Sequence, residues 1–174
     1  MQTKNKPVRT TQWLCLTAMF MALNVIMSSF SIPVPGGHLY MNDVVICTAA
    51  ILMDPLAAFL VGGVGAFLGD LLFYPTPMFV SLVTHGLQAV VISLFAHRVL
   101  KKHPVIASGI GVTIGALIMV AGYSLGRAFI YSTPEYALLK LPYQFLQAGV
   151  GAVAAMLLCW RCGLRRLYSD RVIR

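Results

Sequence analysis

In a chain of 174 residues, 59% hydrophobic and only 10% charged, the charged share is far below the roughly 25% of a water-soluble domain. The formal net charge of +8 argues for no nucleic-acid surface, because the cations are spread over separate segments without interleaved aromatics. A mean hydropathy of +0.82, with repeated apolar runs able to cross roughly 30 Å of hydrocarbon, defines a polytopic membrane protein.

The first run, residues 11–32, follows Lys4, Lys6 and Arg9. It is longer than a signal-peptide core, lacks a small-x-small cleavage site and precedes further spans, so a retained helix is expected. Pro33-Val34-Pro35-Gly36-Gly37 ends it. A short second helix, 42–53, stops at Asp54-Pro55, and a third, 56–73, stops before Tyr74-Pro75-Thr76-Pro77. A fourth, 78–97, is separated by Arg98, Lys101, Lys102 and Pro104 from a fifth, 105–130; a sixth covers 141–160. The predicted fold is an all-α membrane protein, a six-transmembrane-helix bundle occupying residues 1–174 as one domain.

Of thirteen Lys and Arg residues, three precede the first helix, three lie between the fourth and fifth, and five follow the sixth, among them Arg161, Arg165 and Arg166. By the positive-inside rule these segments, and hence both termini, are cytoplasmic. The segments 33–41, 74–77 and 131–139 are then the outer loops.

Against that topology the remaining polar residues collect at one depth, and an ionisable group within a membrane span usually marks a site or pathway. Asp43 opens the second helix beside the first loop, Asp70 lies a turn below the second and Arg127 a turn below the third. Lys140, Tyr143, Gln144 and Gln147 open the sixth helix, and His85 and Gln88 share a face of the fourth. The inner half reads as almost purely apolar. This asymmetry predicts an outward-opening pocket for a small molecule and not a continuous polar channel. Simpler roles stay open for single residues: an Asp70–Arg127 ion pair, Asp43 as a helix cap, His85 as a hydrogen-bonded interior residue, and Tyr40, Tyr74 and Tyr131 as interfacial belt residues.

Small residues form a second pattern. Gly62-xxx-Ala66 and Gly65-xxx-Gly69 on the third helix, and Gly111-xxx-Gly115 and Gly122-xxx-Gly126 on the fifth, allow backbone-to-backbone packing. Ala18-Met19-Phe20-Met21-Ala22 on the first helix is a similar stripe, suited to internal packing or to a partner helix. Cys15 and Cys47 lie within helices; Cys159 and Cys162 form a Cys-x-x-Cys that lacks the two further ligands a metal needs. Neither metal nor cofactor is expected.

Leu39-Tyr40-Met41-Asn42-Asp43, Asp54-Pro55, Gly62-Gly63-Val64-Gly65-Ala66-Phe67-Leu68-Gly69-Asp70-Leu71-Leu72 and Tyr74-Pro75-Thr76-Pro77 together resemble the loop and helix motifs of the substrate-binding S components of energy-coupling factor (ECF) vitamin transporters. The likeness extends over nearly the whole chain and is densest from Gly36 to about Ser93. It departs at Tyr40 and Asn42 in the loop motif, and at His85, where Lys is frequent. The resemblance implies a high-affinity binding subunit of an ABC-type importer in the prokaryotic cytoplasmic membrane, working with a membrane coupling subunit and two cytoplasmic ATPases. It implies a vitamin or vitamin precursor as ligand, with hydroxymethylpyrimidine or pyridoxine ahead of riboflavin. Ala18 and Ala22 would meet the coupling subunit. The candidate substrate-binding residues are Tyr40, Asn42, Asp43, Asp70, Tyr74, His85, Gln88, Tyr123, Arg127, Tyr143, Gln144 and Gln147. The chain carries no Gly-x-x-x-x-Gly-Lys-Ser/Thr loop, so ATP hydrolysis would belong to separate subunits. A self-sufficient secondary transporter would usually show two related halves with helices broken at mid-membrane. An intramembrane enzyme would need a nucleophile with its base, or a metal-ligand set.

Overall fold

The computed structural model describes residues 10–172 except 36 and 101. Lys4, Lys6, Arg9, Lys101 and Arg174 of the predicted basic segments, and Gly36 of the loop motif, lie outside the described residues. The elements are α1 (Thr10–Ser29), β1 (Ser31–Val34), β2 (Gly37–Tyr40), α2 (Asn42–Leu52), α3 (Pro55–Phe73), α4 (Met78–Arg98), α5 (Pro104–Tyr131), α6 (Pro134–Arg161) and α7 (Leu164–Val172). The predicted all-α character holds apart from one hairpin.

Five helices, α1 and α3 to α6, are long and apolar enough to cross a membrane. Helix α2, with eleven residues, rises only about 16 Å, roughly half of a hydrocarbon layer. Ten of those eleven residues are buried. The short helix is therefore the axis of the molecule and not a member of its lipid-facing ring: Ile46, Ala49, Ala50 and Ile51 form one core with Ala57, Val61, Ala89, Ile92, Val112 and Ala155 from the surrounding helices.

Three boundaries differ from the sequence expectation. The first helix ends at Ser29 and not at 32, and the expected loop 33–41 contains instead an antiparallel hairpin pairing Ser31 with Tyr40 and Val34 with Gly37. Pro33 is tolerated in β1 because the sheet has two strands and both are edges. The sixth helix starts at Pro134 and not at 141, with Pro134 in the first turn, where its missing N–H costs nothing. Pro142 lies inside that helix, where it has no N–H to give to the i−4 carbonyl. Beyond Gly163, whose φ of +74° turns the chain, α7 is a short amphipathic helix that was not anticipated.

The Asp54-Pro55 break is a capping turn. Asp54 Oδ1 accepts from the Leu56 and Ala57 amides at 3.0 and 3.2 Å, satisfying two orphan donors of α3, while Trp13 Nε1 donates to Oδ2 at 2.5 Å and ties the start of α1 to the same corner. Helix α3 then contains a π-helical turn at Leu60–Val64. Asn24 Nδ2 donates to the Val61 carbonyl in that turn at 2.7 Å, which gives a carbonyl displaced from regular α-helical geometry a partner inside the bundle.

Glycine lets the helices close. A methyl group on Gly62 would lie 2.7 Å from Ala89 Cβ on α4, and one on Gly69 would lie 2.6 Å from Ser28 Oγ on α1, so α3 is gripped on both faces. Gly122 faces Thr84 and Gly126 faces Val80 in the same way between α5 and α4. The four small-residue stripes of α3 and α5 are thus internal. Ala18 and Ala22 are not: both are exposed on α1, flanked by the exposed Leu14, Met19 and Ile26, whereas Thr17, Asn24 and Ser28 form the inward face.

Candidate functional site

Because α2 is short, a space remains between its first turn and the hairpin, enclosed at the sides by α3 to α6. Its lining comes from every one of these elements: His38 and Tyr40 of β2, Asn42 of α2, Asp70 of α3, His85 of α4, Tyr123, Arg127 and Tyr131 of α5, and Lys140, Gln144 and Gln147 of α6, with Tyr74 and Pro77 from the α3–α4 turn. Nine of the twelve predicted binding residues line this one cavity: Tyr40, Asn42, Asp70, Tyr74, His85, Tyr123, Arg127, Gln144 and Gln147.

Asp43 and Gln88 stand behind the wall. The Asp43 carboxylate accepts from Gln88 Nε2 at 3.0 Å and from Gln147 Nε2 at 2.6 Å. It makes no side-chain cap of α2, so the capping role gives way to bridging α4 and α6 through α2. Gly151 permits this, since a methyl there would come within 2.5 Å of Asp43 Cβ. The network continues in both directions. Gln147 Oε1 accepts the Tyr40 amide at 3.1 Å, fixing β2. Gln88 Oε1 is 2.6 Å from His85 Nδ1; since the Gln88 amide already donates to a carboxylate, Nδ1 carries the proton, and in the neutral ring Nε2 is an acceptor. The His85 ring meets Tyr123 edge-on at 5.2 Å.

A second network supports the side wall. Ser81 donates to Asp70 Oδ2, and its oxygen lies 2.5 Å from the Tyr123 hydroxyl. Ser124 Oγ donates to Gln144 Oε1 at 3.0 Å, leaving the Gln144 amide oriented by α5. The roof is held by cations: Lys140 Nζ donates to the His38 carbonyl and lies 5.9 Å from the Tyr40 ring centre, and Arg127 lies 5.3 Å from that of Tyr131. Gly37, at φ +143°, brings the hairpin backbone against both cations.

The side chains fill most of the cavity they surround. About 30 Å³ is left, room for roughly two water molecules. Asn42, 5% exposed, has an Oδ1 with no hydrogen-bond partner. A polar atom buried in this way requires a partner, and Asn42 lines the cavity.

Tyr143 is the predicted residue the structure sets apart: it is half-buried on α6 and does not line the cavity. His38 and Ser81 were missed. His38 sits two residues from Tyr40, on one face of an extended segment, a signal hidden as long as 33–41 was read as loop. The opposite half of the bundle is less purely apolar than expected, with Thr17, Thr48, Ser93 and Ser108 buried there. Three of these hydroxyls donate to backbone carbonyls, those of Trp13, Met53 and Pro104, so they serve local structure. Cys159 is buried and Cys162 exposed, which places the two thiols in different surroundings.

Fold and cavity together define a multi-pass membrane protein with an internal polar site roofed at one end. The chain belongs to the family described as ECF-type riboflavin transporter, S component, which matches residues 8–163. It is similar to the thiamine precursor transporter HmpT of Lactococcus lactis subsp. cremoris (strain MG1363), 31% identical over 150 residues, 83% of this chain and 84% of that protein. It is also similar to an uncharacterized Pyrococcus woesei protein, 29% identical over 124 residues, 70% of this chain and 81% of the other. The protein is thus a vitamin-type transporter subunit of the plasma membrane, with a membrane module as its partner.

Proposed function

We propose that this chain captures a small heteroaromatic vitamin precursor, a hydroxymethylpyrimidine or a pyridoxine-like ring before a riboflavin, in the cavity beneath the 31–40 hairpin and hands it to an ABC-type energising module. The observation that carries the reading is the convergence, under one roof, of a ring-stacking surface from Tyr40, Tyr74, Tyr123 and His85 with the amides Asn42, Gln144 and Gln147. Aromatic faces bind a flat ring, and paired amide, imidazole and hydroxyl groups read its nitrogens and hydroxyls.

Size favours the smaller ligands. With about 30 Å³ left between the side chains, the walls must move apart for any ring, and less for one six-membered ring than for three fused ones. The Lactococcus relative, a thiamine precursor transporter, points the same way, while the family description names riboflavin. In this reading the hairpin end faces outside, the basic end and both termini face the cytoplasm, α2 completes a sixth crossing together with the hairpin, and Ala18 and Ala22 dock the coupling subunit, whose two ATPases supply the energy.

Calorimetric titration of the purified protein with hydroxymethylpyrimidine, pyridoxine, thiamine and riboflavin tests the proposal. Submicromolar binding of a single-ring compound, at least tenfold tighter than riboflavin, is expected. Binding of riboflavin alone would reverse the ligand assignment, and no binding of any of the four would remove the vitamin reading of this cavity.

A further inference from the structure

At the end opposite the cavity, α6 and α7 meet at Gly163 and enclose an open groove of about 420 Å³, lined by Cys159, Trp160, Gly163, Arg165, Arg166, Ser169 and Asp170. The Arg165 guanidinium lies over the Trp160 ring, 4.6 Å from its centre. Two donors in this groove are buried and without a hydrogen-bond partner: Arg165 Nη1 and Trp160 Nε1. Buried donors of this kind are rare, and two on one aromatic–arginine stack, in the same groove, call for a shared acceptor. An anion supplies it, because a charged oxygen makes the strongest bonds with a guanidinium. Arg165 and Arg166 outweigh the single carboxylate of Asp170 in the lining, and Arg161 adds a further cation at the end of α6.

The placement narrows the anion. Leu164 and Tyr168 of α7 pack on the hydrophobic core, and Leu167 is 57% exposed. A short amphipathic helix with one apolar edge free, attached to the end of a membrane-spanning helix, lies in the plane where lipid headgroups sit. Basic pockets at this level between helices receive phosphate headgroups.

We propose that the α6–α7 groove is a binding site for a phosphate-bearing anion, with Arg165 and Trp160 as its paired donors and the headgroup of an anionic phospholipid as its occupant. The site is independent of the vitamin cavity. Its role is to hold α7 at the membrane surface, so that the basic end of the protein keeps a fixed depth. The chemistry is phosphate oxygen, and lipid and free phosphate are separated by experiment.

The full-length protein is purified in neutral detergent, equilibrated with mixed micelles of phosphatidylcholine and phosphatidylglycerol, and bound lipid is counted by native mass spectrometry. One retained phosphatidylglycerol is expected on the unaltered protein, with retention falling about tenfold in Arg165→Gln and several-fold in Trp160→Phe, which keeps the ring and loses the N–H. Lys102→Gln, outside the groove, should change nothing, and far-UV circular dichroism with gel filtration reports whether each variant is folded. In a parallel arm, 10 mM inorganic phosphate is added without lipid; Arg165-dependent quenching or shift of the Trp160 emission there, with no Arg165-dependent lipid retention, would support the anion site and overturn the lipid as its occupant. Equal lipid retention by the folded unaltered, Arg165→Gln and Trp160→Phe proteins, with no effect of phosphate, would overturn the proposal, whatever the vitamin titrations show.

Discussion

His85 shows how one side chain serves two demands. It is 1% exposed, inside a membrane bundle, and its Nδ1–H donates to Gln88 Oε1, while the Gln88 amide donates to Asp43. The outcome is a ring held at one angle against Tyr123 with its second nitrogen uncommitted by this network, and in the proposed reading that nitrogen faces a ligand donor. His85→Ala should weaken vitamin binding by about 10- to 100-fold in calorimetric titration, the loss expected when a buried hydrogen-bonding group goes and its Gln88 partner is orphaned. An unchanged affinity would place the ligand elsewhere. At this scale the sequence was informative where chemistry and topology coincided. Asp70, His85, Arg127 and Gln144 were found because ionisable and amide groups within spans are costly, and their depths agreed. His38 was hidden by a wrong local structure, and the position of Asp43 behind the wall depends on Gly151, a partner 108 residues away in the chain that no local pattern reports.

Among the elements, the helices were legible and their ends were not. Apolar length marks a span regardless of context, but a proline reads the same at the first turn of a helix, as Pro134 does, as in its interior, as Pro142 does. The hairpin carries no local signature because Pro33 in a strand and the tract that follows it read as irregular chain; it forms because Gln147 and Lys140 hold its second strand from α6. Packing through glycine was readable and is severe. Gly122→Leu puts a branched side chain where even a methyl would lie 2.5 Å from Thr84 Oγ1, so α5 must leave α4; a loss of about 1–3 kcal/mol is expected, measured as earlier thermal unfolding in detergent, with weakened vitamin binding because Tyr123 moves with it. The α1 stripe behaves oppositely. Ala18 is exposed, so Ala18→Trp should leave the unfolding temperature and vitamin affinity unchanged while abolishing uptake by the assembled transporter in cells. Loss of binding in this variant would mean that the stripe serves the bundle itself.

At the level of the whole molecule, one compact bundle carries the cavity, and in the proposed reading separate subunits supply the energy. Reconstituted alone into liposomes, the protein should retain ligand without accumulating it, and uptake should appear only with the coupling subunit and ATPases present and ATP on their side; accumulation by the protein alone would mark a self-sufficient carrier. The overall plan follows from one short helix. Had α2 been a full span, its first turn would reach the bundle surface and leave no chamber, and the sequence already hinted at this by breaking the second apolar run at Asp54-Pro55. What the sequence could not show is that the shortest helix is the central one, since burial on all sides depends on five neighbours at once.

The filled interior of that chamber has a consequence for time as well as for affinity. In the proposed reading a molecule arriving at the hairpin end meets side chains that leave only about 30 Å³ between them, so capture would wait for the hairpin and the Lys140 side chain to withdraw, and arrival frequency would govern only the dilute limit. In rapid-mixing fluorescence the observed rate should rise with vitamin concentration and then level off at the opening rate, while a Lys140→Ala protein, with the strap to His38 gone, should level off higher.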